Sequence, residues 1–247
     1  MKRLLFTFIL ALTTFAAWSQ IPDEDDIIRK TMDTSSPYYY TSLMMRYMNL
    51  DKLSIEDYHY LYYGFAYQED YRPTAVNNAL DELYAMLPSI NVETADREQL
   101  ENLILICKEV MRVDPFNFTA LNMLTFAYGA MGDKAKEQAY YVNLHGIMET
   151  IKSSGDGRSE RYPMHIIMFS HAVDLVSSMG MASQRAEIIS RNVEFIPLVS
   201  ARRMPDGKKI RGFYFDYSRI YRNKPDDVTF KKKRTWQFNG LKPREYK

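Results

Sequence analysis

The sequence predicts an α+β fold, with antiparallel α-helices in the N-terminal two-thirds and a small antiparallel β-sheet in the C-terminal third. Three observations carry this. Apolar residues recur at helical spacing from residue 37 to residue 152. Pro, Gly and short polar side chains punctuate that stretch where helices start and stop. After about residue 162 the pattern changes to short β-branched runs around a strong turn signal, Pro205-Asp206-Gly207.

Residues 1–19 read as a secretory signal. Lys2 and Arg3 precede an apolar run from Leu4 to Ala17, and Ala17-Trp18-Ser19 is a small-x-small cleavage site that leaves Gln20 as the new N-terminus. The run is too short to span a bilayer comfortably. No cysteine stands at the cleavage point to carry a lipid, so the expected location is periplasmic or secreted, not that of a lipoprotein. Residues 20–36, with Asp23, Glu24, Asp25 and Asp26, read as a loose polar lead-in.

Ser36-Pro37 starts the first expected helix, whose apolar face is Tyr40, Leu43, Met44, Tyr47 and Met48. Ser54 caps a second helix that runs to about Ala66, with Asp57 near the positive end of its dipole. Tyr71-Arg72-Pro73 breaks the chain. A third helix runs from Thr74 to Leu87, and a fourth from Thr94 to just before Asp114-Pro115. Phe116 to Met131 forms a fifth, stopped by Gly132, and Asp133 caps a sixth that ends near Ile151.

Ser153 to Ser159 is the clearest loop, a flexible connector by composition. In the β-containing region, 153–222, Met164–Phe169 reads as a strand, and residues 193–199 and 209–217 read as a hairpin. The tail 223–247 is basic and only partly ordered, with its cations at Lys231 to Arg234.

Composition narrows the function classes. Residues 1–19 hold two cations and no acid, so their removal moves the formal charge from +1 to −1. A nearly neutral chain gives no electrostatic case for a nucleic acid or an anionic membrane as partner. The single cysteine, Cys107, excludes an internal disulfide and lies on the apolar face of its helix. No later apolar run reaches transmembrane length.

No catalytic set stands out. The four histidines, His59, His145, His165 and His171, lack metal-ligand spacing, although His171 and Asp174 share a face if that stretch is helical. Gly155-Asp156-Gly157-Arg158-Ser159 lacks the Gly-Lys-Ser/Thr signature of a phosphate loop, and no Gly-x-Ser-x-Gly is present. Asn117-Phe118-Thr119 is a formal glycosylation sequon. No cofactor is implied.

Val113-Asp114-Pro115, followed by Leu121, Leu124, Tyr128 and Gly132-Asp133, resembles a tetratricopeptide repeat. Thr125 and Glu137 depart from the small residues of that pattern, and one repeat with a preceding half is visible. A second resemblance covers roughly residues 37–220. Leu53 to Gly64, Gln68 to Pro73, Ser154 to Gly157 and Gly212 to Asp216 resemble the domain of unknown function 4919, an exported family of Bacteroidetes. That resemblance implies a cell-envelope location and brings no activity.

Two functions follow as expectations. The first is a non-catalytic binding or scaffold module that presents an aromatic-rich helical surface to a peptide or protein partner. Tyr58, Tyr62 and Tyr128 are its expected contacts, joined by Arg158 and Arg161 at the Gly-rich loop. The second is a hydrolase of envelope or dietary polymer with its site near residues 153–161, using Arg158, Glu160, Arg161 and Asp174.

Overall fold

The computed structural model describes residues 21–90 and 95–222. The expected signal segment with Gln20, the helix start at Thr94 and the basic tail lie outside the described residues. Local capping chemistry sets most helix boundaries. Helices α1 (Glu24–Met32), α2 (Tyr40–Met48), α3 (Ile55–Phe65) and α4 (Asn78–Met86) come first. A short 3-10 turn at Leu87–Ser89 leads on to α5 (Arg97–Val113), α6 (Phe118–Ala130) and α7 (Lys134–Ser153).

Ser54 and Asp57 form a reciprocal capping box at the start of α3, as their spacing predicts. Asp96 and Gln99 do the same for α5. Asn117 caps α6 and Asp133 caps α7. Helix α4 starts at Asn78 because the Asn77 side chain captures the Leu80 N–H and also donates to the Val110 carbonyl. Its start therefore falls four residues after Thr74.

The polar lead-in expected over residues 20–36 is corrected. Asp23 caps α1, three acids occupy its first turn, and Ile27 and Thr31 form a buried stripe one helical turn apart. Tyr60 on α3 donates to Asp26 at 2.8 Å, and Lys30 pairs with the same carboxylate at 3.0 Å. Arg222 reaches Glu24 from the other end of the described chain.

The first strand appears at residue 164, as the change of pattern predicts. Strands β1 (Met164–His165), β2 (Glu187–Ile188), β3 (Val193–Arg203) and β4 (Lys209–Asp216) form one sheet in the order β1-β4-β3-β2. The 193–199 and 209–217 hairpin is present, with Phe195 opposite Tyr214 and Arg203 opposite Lys209. The sheet is mixed rather than wholly antiparallel. β1 runs parallel to β4, because α8 (Phe169–Ser178) and β2–β3 intervene before β4 returns beside it. Only two residues of the expected strand 164–169 pair, and Phe169 already begins α8. A short helix α9 (Ser218–Arg222) closes the described fold.

The core joins both parts. Leu103, Cys107 and Val110 of α5, Leu121 and Leu124 of α6, and Ile147 and Ile151 of α7 are continuous with Ile166, Leu175 and Phe215. Burial pushes the Cys107 thiol up to about 12, which keeps it protonated and unreactive at neutral pH. Among the described residues, no helix is long and apolar enough to cross a membrane.

Candidate functional site

A buried polar junction ties three elements together. Asp114 ends α5, where its carboxylate accepts from the Phe116 N–H and the Asn117 amide, both at 3.2 Å. His171 on α8 brings Nε2 to 3.3 Å from Asp114, close enough for an ion pair but poorly aligned for a hydrogen bond. Its Nδ1 lies 2.8 Å from the hydroxyl of Tyr62 on α3. The Ile167 N–H donates to that same oxygen. The Tyr62 oxygen is thus shared between the Ile167 N–H and His171 Nδ1.

This Tyr–His–Asp line is enclosed, with Tyr62 and His171 both 0 % exposed. No substrate reaches it. Its chemistry is that of a clamp that fixes α8 against α3 and the α5–α6 corner.

An open recess of about 430 Å³ lies beside the clamp, between α6, α7 and α8. Phe118, Leu144 and Met148 supply apolar wall, while Thr119, Asn122, His145, Asp174 and Ser177 supply polar groups. Phe118 stacks on the His171 ring at 5.2 Å, so the clamp backs the recess. Asp174 connects the two. One of its carboxylate oxygens is buried without a hydrogen-bond partner. Burial pushes its carboxyl up to about 6, with His171 opposing the shift and Asp114 adding to it.

That shift has a sign for stability. The folded value lies above the ordinary 3.8, so the folded state holds more protons than the unfolded state between the two values. The penalty is absent below the unfolded value and complete above the folded one. Asp174→Asn should therefore gain on the parent by on the order of 1–3 kcal/mol between about pH 4 and about pH 7. Denaturant titrations of the two proteins across that range read the gain directly.

The aromatic groove expected through Tyr58, Tyr62 and Tyr128 is corrected. The three residues are 4 %, 0 % and 8 % exposed and serve as packing groups. The Tyr58 hydroxyl donates to Asn143 at 2.7 Å, and its ring lies where a β-carbon on Gly146 would stand, 2.4 Å away. Tyr128 stacks on Tyr140 at 5.5 Å, beneath the Lys136 ammonium.

Arg158 is paired with Asp206 at the hairpin turn, and Arg161 lies exposed over the Tyr162 ring. Asp174 lines the α6–α8 recess with none of Arg158, Glu160 or Arg161. The Gly-rich loop is no slack connector either. Gly157, at φ +64°, donates its N–H to the Tyr162 carbonyl and accepts from the Tyr214 N–H at 2.7 Å. The sequon Asn117 is buried and committed to its cap. Among the described residues, no group of three His, Cys, Asp or Glu is placed to hold a metal ion.

A family model described as a domain of unknown function (DUF4919) matches residues 25–225. The chain belongs to the DUF4919 family. No curated protein and no solved structure matches it. The segments that carry the DUF4919 resemblance meet in the fold. The Tyr63 hydroxyl of the first segment donates to the His165 carbonyl at 3.1 Å, and the His165 N–H donates to Ser154 at 2.8 Å. The Tyr214 N–H of the last segment donates to the Gly157 carbonyl of the Ser154–Gly157 segment. The DUF4919 segments thus mark the packing frame. The recess residues Phe118, Asn122 and His145 lie outside them, and the only sequence signal for this region was the spacing of His171 and Asp174.

Proposed function

We propose that the protein is an exported, non-catalytic binding module of the cell envelope. It takes a basic group of a peptide partner, a lysine side chain or a free N-terminus, in the recess between α6, α7 and α8. One observation carries this reading: an acidic group, Asp174, lines an open recess of about 430 Å³, and burial disfavours its charged form. A cation that donates to the Asp174 carboxylate relieves the cost of burying it. Phe118, Leu144 and Met148 offer apolar surface to the aliphatic stem, and Thr119, Asn122 and Ser177 offer hydrogen bonds to a peptide backbone. The α6–α7 hairpin, tetratricopeptide-like in its residues, supplies one wall.

The signal-like segment 1–19 supports export to the periplasm or beyond. A hydrolase sited near residues 153–161 has less support, because Arg158 is committed to Asp206 and Asp174 stands in a different recess.

Selection from a displayed peptide library tests the proposal. The enriched peptides should carry a lysine or a free N-terminus, and Asp174→Asn should weaken their binding at least about tenfold, the loss of one charge-assisted hydrogen bond. Its melting temperature should hold or rise at neutral pH. Peptides that bind Asp174→Asn as well as the parent would contradict the proposal.

A further inference from the structure

The formal charge of the whole chain, +1, conceals a concentrated basic surface. Beyond Pro197 and Gly212 the β3–β4 hairpin extends as an arm that is exposed from Val199 to Lys209, apart from half-buried Met204. The arm carries Arg202, Arg203, Lys208, Lys209 and Arg211 against a single acid, Asp206. Arg158 occupies the Asp206 carboxylate from the Gly-rich loop. Among the described residues, no carboxylate lies within ion-pair distance of the five remaining cations.

The strand pairing adds a second, independent sign. Arg203 stands directly opposite Lys209, and like charges at such a position weaken a hairpin. The fold tolerates this repulsion at the arm, where an anionic partner would cancel it. A recess of about 540 Å³ opens beside the turn end of the arm, lined by Met179, Met181 and Met204 together with Arg202 and Arg203. Flexible methionine surface beneath guanidinium groups suits an anionic head on an apolar body.

We infer that the β3–β4 arm docks on the surface of an anionic lipid bilayer. Arg202 and Arg203 are adjacent strand residues, so the arm presents cations on both of its faces and around its tip. A ribbon charged on both faces meets a planar anionic surface end-on. An acidic peptide laid along one face would leave the other face's cations unused. The methionine recess then receives the apolar part of a headgroup-bearing lipid. This surface is separate from the Asp174 recess, and its test does not depend on that reading.

The test compares two full-length proteins, the parent and Lys209→Glu, by co-sedimentation with vesicles. One set contains phosphatidylglycerol in phosphatidylcholine and the other phosphatidylcholine alone. Residues outside the arm are identical in the two proteins, so the difference reads the arm. The parent should bind the anionic vesicles selectively and lose that binding as salt is added. Lys209→Glu changes two units of charge, at about fivefold per unit, and should weaken the binding on the order of 25-fold. It also turns a repulsive cross-strand pair into an attractive one, so its melting temperature should hold or rise. Equal binding to both vesicle types, or vesicle binding unchanged by Lys209→Glu, would overturn the inference. Tighter binding to polyglutamate than to anionic vesicles would also overturn it, in favour of an acidic protein partner.

Discussion

Gly146→Ala should destabilise the protein by roughly 1–3 kcal/mol, although alanine is the better helix former by about 1 kcal/mol. A β-carbon at this position would stand 2.4 Å from the edge of the Tyr58 ring, where no real contact exists. The ring cannot swing aside cheaply, because its hydroxyl is held by Asn143, whose own amide donates to the Tyr47 carbonyl. Either α3 and α7 separate, or a buried hydrogen bond breaks at about 1–3 kcal/mol. The sign should invert in a Tyr58→Ala background. There the space is free, and Gly146→Ala should stabilise by up to about 1 kcal/mol through helix propensity alone. Denaturant melts of the four proteins give the cycle. Gly146→Ala with no cost in the parent would contradict the close α3–α7 approach.

Tyr62→Ala should be the most damaging single truncation, at about 3–5 kcal/mol. In a domain of this size that lowers the melting temperature by roughly 6–20 °C. The ring is wholly buried, between Phe116 at 5.5 Å and His171 at 5.7 Å. Tyr62→Phe isolates the polar part of the effect. It leaves the Ile167 N–H and His171 Nδ1 without their shared oxygen and should cost about 1–3 kcal/mol. Tyr62→Phe combined with His171→Leu should cost less than the sum of the two single changes, because the pair's polar atoms are then absent together. Additive losses would mean that the clamp does not act as a unit.

These effects explain what the sequence made legible. Capping is local chemistry, so Ser54 with Asp57 and Asp133 set their helices much as their spacing indicates. The hairpin turn at Pro205-Asp206-Gly207 is local in the same way. Burial of the tyrosines is not. Every residue of α3 from Asp57 to Phe65 is buried, so the helix is enclosed on all sides. Its run of aromatic residues carries no polar face, and that absence was the available sign of a central helix rather than a groove wall. The parallel pairing of β1 with β4 joins residues some fifty positions apart and leaves no mark in either segment. The basic arm escaped a reading based on total charge, because acids elsewhere in the chain balance its cations.

In the proposed function the aromatic cluster is frame, and the α6–α8 recess takes the ligand. Nuclear magnetic resonance titration of the chain with a selected lysine-bearing peptide separates the two regions. The largest shifts should fall on Phe118, Asn122, His145, Asp174 and Ser177, with Tyr58 and Tyr62 unmoved. Shifts centred on residues 153–161, or on the α3 tyrosines, with the recess silent would contradict it.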